Sequence, residues 1–468
     1  MILNEKIDHH SHKPVIVIFC ISTLVLFFFS SLRHSLFQSG ALDLGFFDQG
    51  IWLLSQGMIP KSSLIDIHLL GDHAAFILYP LSLLYKINPD IHWLFLVHAT
   101  TISVGIFPIV ILSKRNGLDS KQIYLILLIY LFSPILFNAN STYDFHPDIF
   151  AVPCLLWGIL YAEENKLAHF LSTLFVLVSA KAVFLLTAVS IGIWLIFKKK
   201  KLMGSIAITF GIVWLLIAIQ LVMPAFDAGA GRFAARYGSL GSSYLEILIN
   251  LFIKPNLILS KIFSIDSLLY LLLLFIPVIW CLKYADKKLL LIIFPTVIMS
   301  ILSDDPQQRY LANHYPLPIL PILIVMVISG INEFVKEKKW SYRFILFWTV
   351  LAFVTMSRLN LFMGEYLQSL DTWQANNEAI ALVKNQGSIL TTHEIAPHVT
   401  HRPLVKLAFS NSEPNLEEFD YILLNTRHFG YQSNRDYALN LVEKAKKIPS
   451  LKLKYQKDDV FLFSKNDL

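Results

Sequence analysis

Long apolar runs recur from Pro14 to about Arg358, and no other feature limits the fold of this chain so strongly. In a hydrocarbon layer roughly 30 Å thick, backbone polar groups are satisfied only within helices or closed barrels, and a helix needs about 20 apolar residues to cross. The runs are continuous rather than alternating, so they predict helices. We expect about eleven spans, at 14–31, 91–112, 121–137, 148–162, 166–180, 182–197, 202–223, 267–282, 288–302, 316–333 and 341–357. Only 15% of residues are charged, against about a quarter in soluble domains. After Arg358 the charge density becomes ordinary. The expected fold class is an α-helical polytopic membrane protein in two parts. Residues 1–357 form a transmembrane bundle whose outer loop 32–90 carries interfacial helices, and 358–468 form a small soluble α/β domain.

The net charge of +6 comes from Lys and Arg clustered in short connections. Placing the N-terminus in the cytoplasm puts "SKRNGLDSK", "AEENK", "KKKK", "LKYADKK" and "EFVKEKKWSYR" on the cytoplasmic side, and all but "AEENK" obey the positive-inside rule. Orientation in a cell membrane thus accounts for the charge, and nucleic acid is not an expected partner. The first run, "PVIVIFCISTLVLFFFSS", lacks an A-x-A-like cleavage site and reads as an uncleaved signal anchor. Cys20, Cys154 and Cys281 all lie in apolar runs, so neither a disulfide framework nor a thiolate metal site is expected. The chain has no Walker loop, no strand-linked G-x-G-x-x-G and no nucleophile elbow.

This orientation gathers acids, histidines and arginines on the outer side. In "DLGFFDQGIWLLSQG", Asp43 precedes a helix of about ten residues and fits its N-cap, while Asp48, Gln49 and Ser55 would face water. "DIHLLGDHAAF" pairs Asp66 with His68 and Asp72 with His73, groups suited to metal ligation or acid/base work but lacking an H-E-x-x-H spacing. The next stretch, 73–86, is too short to span and is expected as an amphipathic or re-entrant helix. "STYDFHPDIF" brings Asp144, His146 and Asp148 to the surface, where Asp148 also suits the positive end of the following helix. Lys181 interrupts two apolar stretches and reads either as a snorkelling lysine or as an anion-binding one. Arg232 and Arg236 could grip a phosphate or simply solvate a loop, and further on Asp304, Asp305, Arg309 and His314 bring carboxylates, a guanidinium and an imidazole near one another.

In the tail, "NNEAIALVKNQ" and "YALNLVEKAKK" predict helices, "GSILTTHE" and "FDYILLNT" strands, and "LKLKYQ" with "DVFLFSK" a terminal hairpin. His393, Glu394, His398, His401 and Arg402 crowd the loop "THEIAPHVTHRP", which reads first as solvated.

The stretches "LDLGFFDQGIWLLSQG", "HLLGDHAAFILYPLSLLYKINPD", "YDFHPDIFAVP", "THEIAPHVTHRPLV" and "FDYILLN" resemble the membrane-protein family called domain of unknown function 2079 over most of the chain. That family is similar in layout to the GT-C glycosyltransferases, which take a sugar from a polyprenyl-phosphate carrier on the outer side of the membrane. The resemblance implies an acidic residue in the first outer loop as base or metal ligand, and Asp43 matches it. Family members often carry an acid after the lysine matching Lys181, whereas Ala182 stands there in this chain.

The resemblance implies Asp43 as catalytic base, and shared placement on the outer side makes Asp48, His68, His73, Asp144 and His146 candidates for supporting or acceptor-binding roles. Lys181, Arg232, Arg236 and Arg309 are candidate lipid-phosphate ligands. If a divalent metal (Mg or Mn) assists, Asp43, Asp144 and His146 are its candidate ligands. The expected partners are a lipid-linked sugar donor, membrane lipids and a glycan, lipid or protein acceptor. The competing class is a transporter or non-catalytic scaffold that binds a lipid-linked glycan.

Overall fold

Each of the eleven apolar runs is helical in the structure, a computed structural model that describes residues 12–226, 234–337 and 341–465. The first helix is α1 (His12–Ser35), and the loop after it holds α2 (Phe46–Ser55), the paired strands β1 (Lys61–Ser62) and β2 (Ile67–His68), α3 (Leu69–His73) and α4 (Leu78–Ile87). The bundle continues through α5 (His92–Val104), α6 (Ile106–Arg115), α7 (Ser120–Leu131), α8 (Pro134–Tyr143), α9 (Ala151–Glu163), α10 (Leu167–Ala180), α11 (Phe184–Phe197) and α12 (Lys201–Ile217). Then come α13 (Tyr244–Ile253), α14 (Pro255–Ile262), α15 (Ile265–Phe275), α16 (Leu290–Leu302), α17 (Leu320–Glu337) and α18 (Ser341–Met356). By length and composition four described helices can cross a bilayer, or six if each of two bent pairs is one span.

The expectation missed α13 and α14, which lie inside what reads as the connection 224–266. Lys254–Pro255 divides their apolar stretch into pieces too short to register as one span, yet Phe252 and Leu259 are exposed on them as lipid-facing side chains would be. The bundle core is densest around α17, whose residues from Leu320 to Ile328 are all buried. The hairpin of α11 and α12 closes on glycine: a Cβ on Gly192 would lie 2.6 Å from the Gly204 carbonyl oxygen, and the reverse holds equally. Only glycine lets these two backbones approach so closely.

Charge separates the two ends of the bundle. At one end Arg115 pairs with Glu164 at 2.6 Å, Lys198 with Asp286 at 2.7 Å, and Lys200 donates to the Ala162 carbonyl at 2.8 Å. The opposite helix ends bring together 33–48, 72–77, 143–148, 179–182, 236–239 and 303–315. There the Ala182 N–H donates to the His73 carbonyl at 2.8 Å, and the Asp304 N–H to that of Arg236 at 2.7 Å.

After short helical turns at Asn360–Met363 and Glu365–Leu367, the C-terminal part continues with α19 (Leu370–Ala381). It contains β3 (Ile389–Thr391), β4 (Val405–Leu407), β5 (Tyr421–Asn425), α20 (Arg435–Lys446), β6 (Leu451–Lys457) and β7 (Val460–Lys465). The sheet order is β4-β3-β5-β7-β6, parallel from β4 to β5 and antiparallel beyond. The short β4 was not anticipated, and its three residues are too few for a periodic signal. Alternate residues of β5 serve the two faces: Tyr421 and Leu423 join the cluster with Ala375 and Ala379 of α19, and Ile422 and Leu424 that with Leu441 and Val442 of α20. Asp458 and Asp459, both at positive φ, close the terminal hairpin in two residues. The α19 face also packs against Phe37, Ala41 and Leu64, so the sheet shares its core with the loop after α1.

Candidate functional site

Between α1 and α2 the backbone leaves an extended Gly40 and makes one wide π turn, Ala41–Gly45, that runs directly into α2. Asp43 therefore lies within a helical turn and is not the N-cap of α2. Its half-buried carboxylate has no hydrogen-bond or ion-pair partner among the described residues. Wide π turns are costly and recur at functional positions.

Five residues on, Asp48 corrects the sequence reading, which left it in water with Gln49 and Ser55. All three side chains are buried. Tyr85 of α4 donates to Asp48 Oδ1 at 2.5 Å, Thr400 donates to Oδ2, and His401 Nε2 lies 3.1 Å from Oδ2. Gln49 accepts from Ser62 Oγ at 2.7 Å and donates to the Arg402 carbonyl at 3.0 Å. This polar face of α2 is satisfied by the outer loop and the C-terminal part rather than by solvent. The loop "THEIAPHVTHRP" is likewise docked and not solvated, with Thr400 and Arg402 buried.

The second group is built on the break before α9. His146 Nδ1 lies 2.5 Å from Asp148 Oδ2, a distance at which the ring donates to the carboxylate. Lys181, extended in the break between α10 and α11, places Nζ 3.0 Å from Asp148 Oδ2. Thus the partner that Ala182 does not offer comes from Asp148, and the snorkelling reading of Lys181 gives way to a buried ion pair. His314 stacks on His146 with ring centroids 3.7 Å apart, and its Nδ1 has no partner. His73 meets His146 edge-on at 6.2 Å. Burial foremost, and then neighbouring groups such as His146, hold His73 and His314 well below the ordinary histidine pKa, so both are neutral near pH 7.

Tyr315 connects the two groups. Lys181 Nζ is 5.6 Å and the Arg236 guanidinium 5.8 Å from its ring centroid. Its phenol, pushed up to about 12 mainly by burial, also senses the charges of Arg236, Asp148 and Asp43. Asp144 is buried in a 2.6 Å ion pair with Arg33 at the end of α1, and Asp43 lies within electrostatic reach of both.

Two candidates fall elsewhere. His68 is the N-cap of α3, where Nδ1 accepts from the Leu70 N–H at 3.1 Å and the ring stacks on Phe226. Arg309 donates to the Ser300 and Ser303 carbonyls at 3.0 and 2.8 Å, closing the C-terminal end of α16. Arg232 lies outside the described residues. Sequence reasoning missed Arg33, a cation at the end of an apolar run, and gave Asp148 and His314 no role in the site.

Beside the expected divalent-ion ligands Asp43, Asp144 and His146, the structure groups another candidate set that shares only His146 with them. His146, Asp148 and His314 bring one ligand atom each within 4.8 Å of one another, all buried. With the unpartnered Nδ1 of His314, this donor set fits an imidazole-tolerant ion such as Mn or Zn better than Mg. Lys181 already occupies Asp148, so an ion would share that carboxylate with an ammonium.

Residues 33–462 match the family model described as "Predicted membrane protein (DUF2079)". The chain belongs to the DUF2079 family. Two solved structures share the fold of this DUF2079 protein across nearly their whole lengths. ArnT from Cupriavidus metallidurans bound to undecaprenyl phosphate aligns with a TM-score of 0.54 at 12% identity, covering 96% of this chain and 97% of that one. The apo state of ArnT aligns with a TM-score of 0.53 at 11% identity, covering 97% and 98%. The expected layout, a helical bundle with a small strand-containing C-terminal part, is thus the fold shared with ArnT. A search of curated proteins finds no match.

Proposed function

We propose that this protein is a GT-C-type membrane glycosyltransferase that moves a sugar from a polyprenyl-phosphate carrier to an acceptor on the outer side of the membrane. One observation carries the reading: the unpartnered carboxylate of Asp43 and the cations Lys181 and Arg236 converge around Tyr315. The fold of ArnT, which has been captured with undecaprenyl phosphate, supports a lipid-linked donor. The lysine-rich end of the bundle supports a cytoplasmic N-terminus and an extracytoplasmic 358–468.

In this reading Asp43 takes the proton of the acceptor hydroxyl as its oxygen attacks the anomeric carbon. The bond from that carbon to the carrier phosphate breaks, the lipid phosphate leaves with the electron pair, and the anomeric configuration inverts. Lys181 and Arg236 stabilise the departing phosphate. Asp148 and Asp144 position the cations beside them, Lys181 and Arg33. Asp48 acts by holding the loop that carries Asp43. A divalent ion held by His146, Asp148 and His314 would add positive charge for the same phosphate.

The test is to incubate the purified chain with a panel of polyprenyl-phosphate sugars and measure release of the lipid phosphate. Release with at least one donor supports the transferase. Binding without release across the panel supports a scaffold instead.

A further inference from the structure

A cavity of about 470 Å³ lies where the C-terminal part meets the loop after α1, beside Asp48 rather than Asp43. Its size falls within the roughly 300–1,000 Å³ usual for small-molecule sites. The charged groups on its wall are already committed. Asp48 is held by Tyr85, Thr400 and His401, Asp90 by His92 at 2.7 Å, and the Arg402 guanidinium by the carbonyls of Val399, Gly387 and Lys384.

The remaining hydrogen-bonding capacity is different in kind. Among the described residues, the indole N–H of Trp52, the carboxamide oxygen of Gln56, the amide of Asn385, Nε2 of His92 and Nδ1 of His401 have no partner. These are planar groups, most of them neutral, that mix donors and acceptors, and Trp52, whose ring runs parallel to that of His401 with centroids 5.9 Å apart, brings a half-buried indole to the cavity wall. A phosphate or carboxylate would find no uncommitted cation here, and an ammonium no uncommitted carboxylate. A sugar ring matches on both counts, because each hydroxyl both donates and accepts while the axial C–H groups lie against an indole.

We propose that this cavity is a carbohydrate-binding subsite with room for one or two sugar rings. Its assignment to the acceptor, rather than to an accessory glycan, rests on the glycosyltransferase reading. The cavity draws on both parts of the chain: Trp52 and Gln56 belong to the segment that follows Asp43, whereas Asn385 and His401 belong to the C-terminal part. Docking of that part therefore completes the subsite.

The experiment is titration of the detergent-solubilised full chain with a panel of methyl glycosides, read by calorimetry and by saturation-transfer NMR. Variants Trp52→Leu, Trp52→Phe, Gln56→Ala and Asp43→Asn are titrated alongside. The expected result is binding of at least one glycoside, weakened about tenfold by Trp52→Leu and Gln56→Ala, largely restored by Trp52→Phe, and unchanged by Asp43→Asn. Absence of binding across the panel, or equal binding by Trp52→Leu and Gln56→Ala, overturns the subsite. Binding that follows this pattern in a protein that transfers no sugar keeps the subsite and removes the transferase reading. Transfer activity whose acceptor KM is unmoved in Trp52→Leu does the reverse.

Discussion

Lys181 Nζ lies 3.0 Å from Asp148 Oδ2, with the two side chains 7% and 3% exposed. The ammonium comes from the break between α10 and α11, and the carboxylate from the turn that leads into α9. Removing Asp148 leaves the ammonium buried and alone, which costs roughly 3–5 kcal/mol, and removing Lys181 leaves a buried carboxylate held by His146 only. We expect Lys181→Met and Asp148→Asn each to lower the thermal midpoint sharply and to abolish activity. The double variant should regain much of the stability but none of the activity. Thermal unfolding in detergent measures this, and a fully stable Lys181→Met would refute the pairing.

Asp48 fastens α2 to the C-terminal part through Thr400 and His401. Asp48→Ala leaves buried donors on Tyr85 and Thr400 unsatisfied, at about 1–3 kcal/mol for each group. Hydrogen exchange should then rise first across 392–402, ahead of β5 and β7. Uniform protection in the variant would show that apolar packing around Phe37 and Leu64 suffices for docking.

The pH dependence of this junction has a definite sign. Burial opposes charging of His401, but Asp48 and then Asp90 outweigh it, against a smaller push from Arg402, and its pKa rises above 6.5. The stabilisation is therefore complete below pH 6.5 and is lost as pH climbs through the raised folded value. His398, held at about 3 chiefly by burial, acts oppositely: below pH 6.5 the unfolded chain takes up a proton that the folded one refuses, so stability falls with acid. Stability should peak near pH 6.5. His401→Gln should flatten the alkaline limb alone, as thermal scans across pH 5–9 would reveal, and an unchanged alkaline limb would contradict the assignment.

Arg309 is predicted to be structural. Its hydrogen bonds to the carbonyls at the end of α16 are charge-assisted, worth about 1.5–3 kcal/mol together with the capping they provide. Arg309→Ala should lose stability of that order while keeping the KM for the lipid donor. A KM raised with stability intact would return Arg309 to the phosphate site.

The bundle was legible because hydrocarbon solvation writes itself into long runs such as 91–112 and 316–333, and because Lys and Arg mark the ends facing one side. Asp43 was legible through the family motif alone, since its chemistry resembles that of any loop acid. Asp48 was misread because the groups that bury it, Thr400 and His401, lie some 350 residues away, and helical periodicity cannot report a partner at such a distance. The same holds for Lys181, whose neighbour Ala182 offered nothing while Asp148 approached from another helix. His314 was legible only as one more outer-side imidazole, because the ring it stacks on, His146, belongs to a distant part of the chain.

The most direct test compares the wild-type chain with Asp43→Asn in single-turnover sugar transfer from an accepted polyprenyl-phosphate donor, with folded fraction and donor binding measured on the same samples. Because Asp43 has no partner to lose, the account predicts equal stability and equal donor binding, with transfer slowed by about 10²–10⁴-fold. Transfer by Asp43→Asn at the wild-type rate would contradict it.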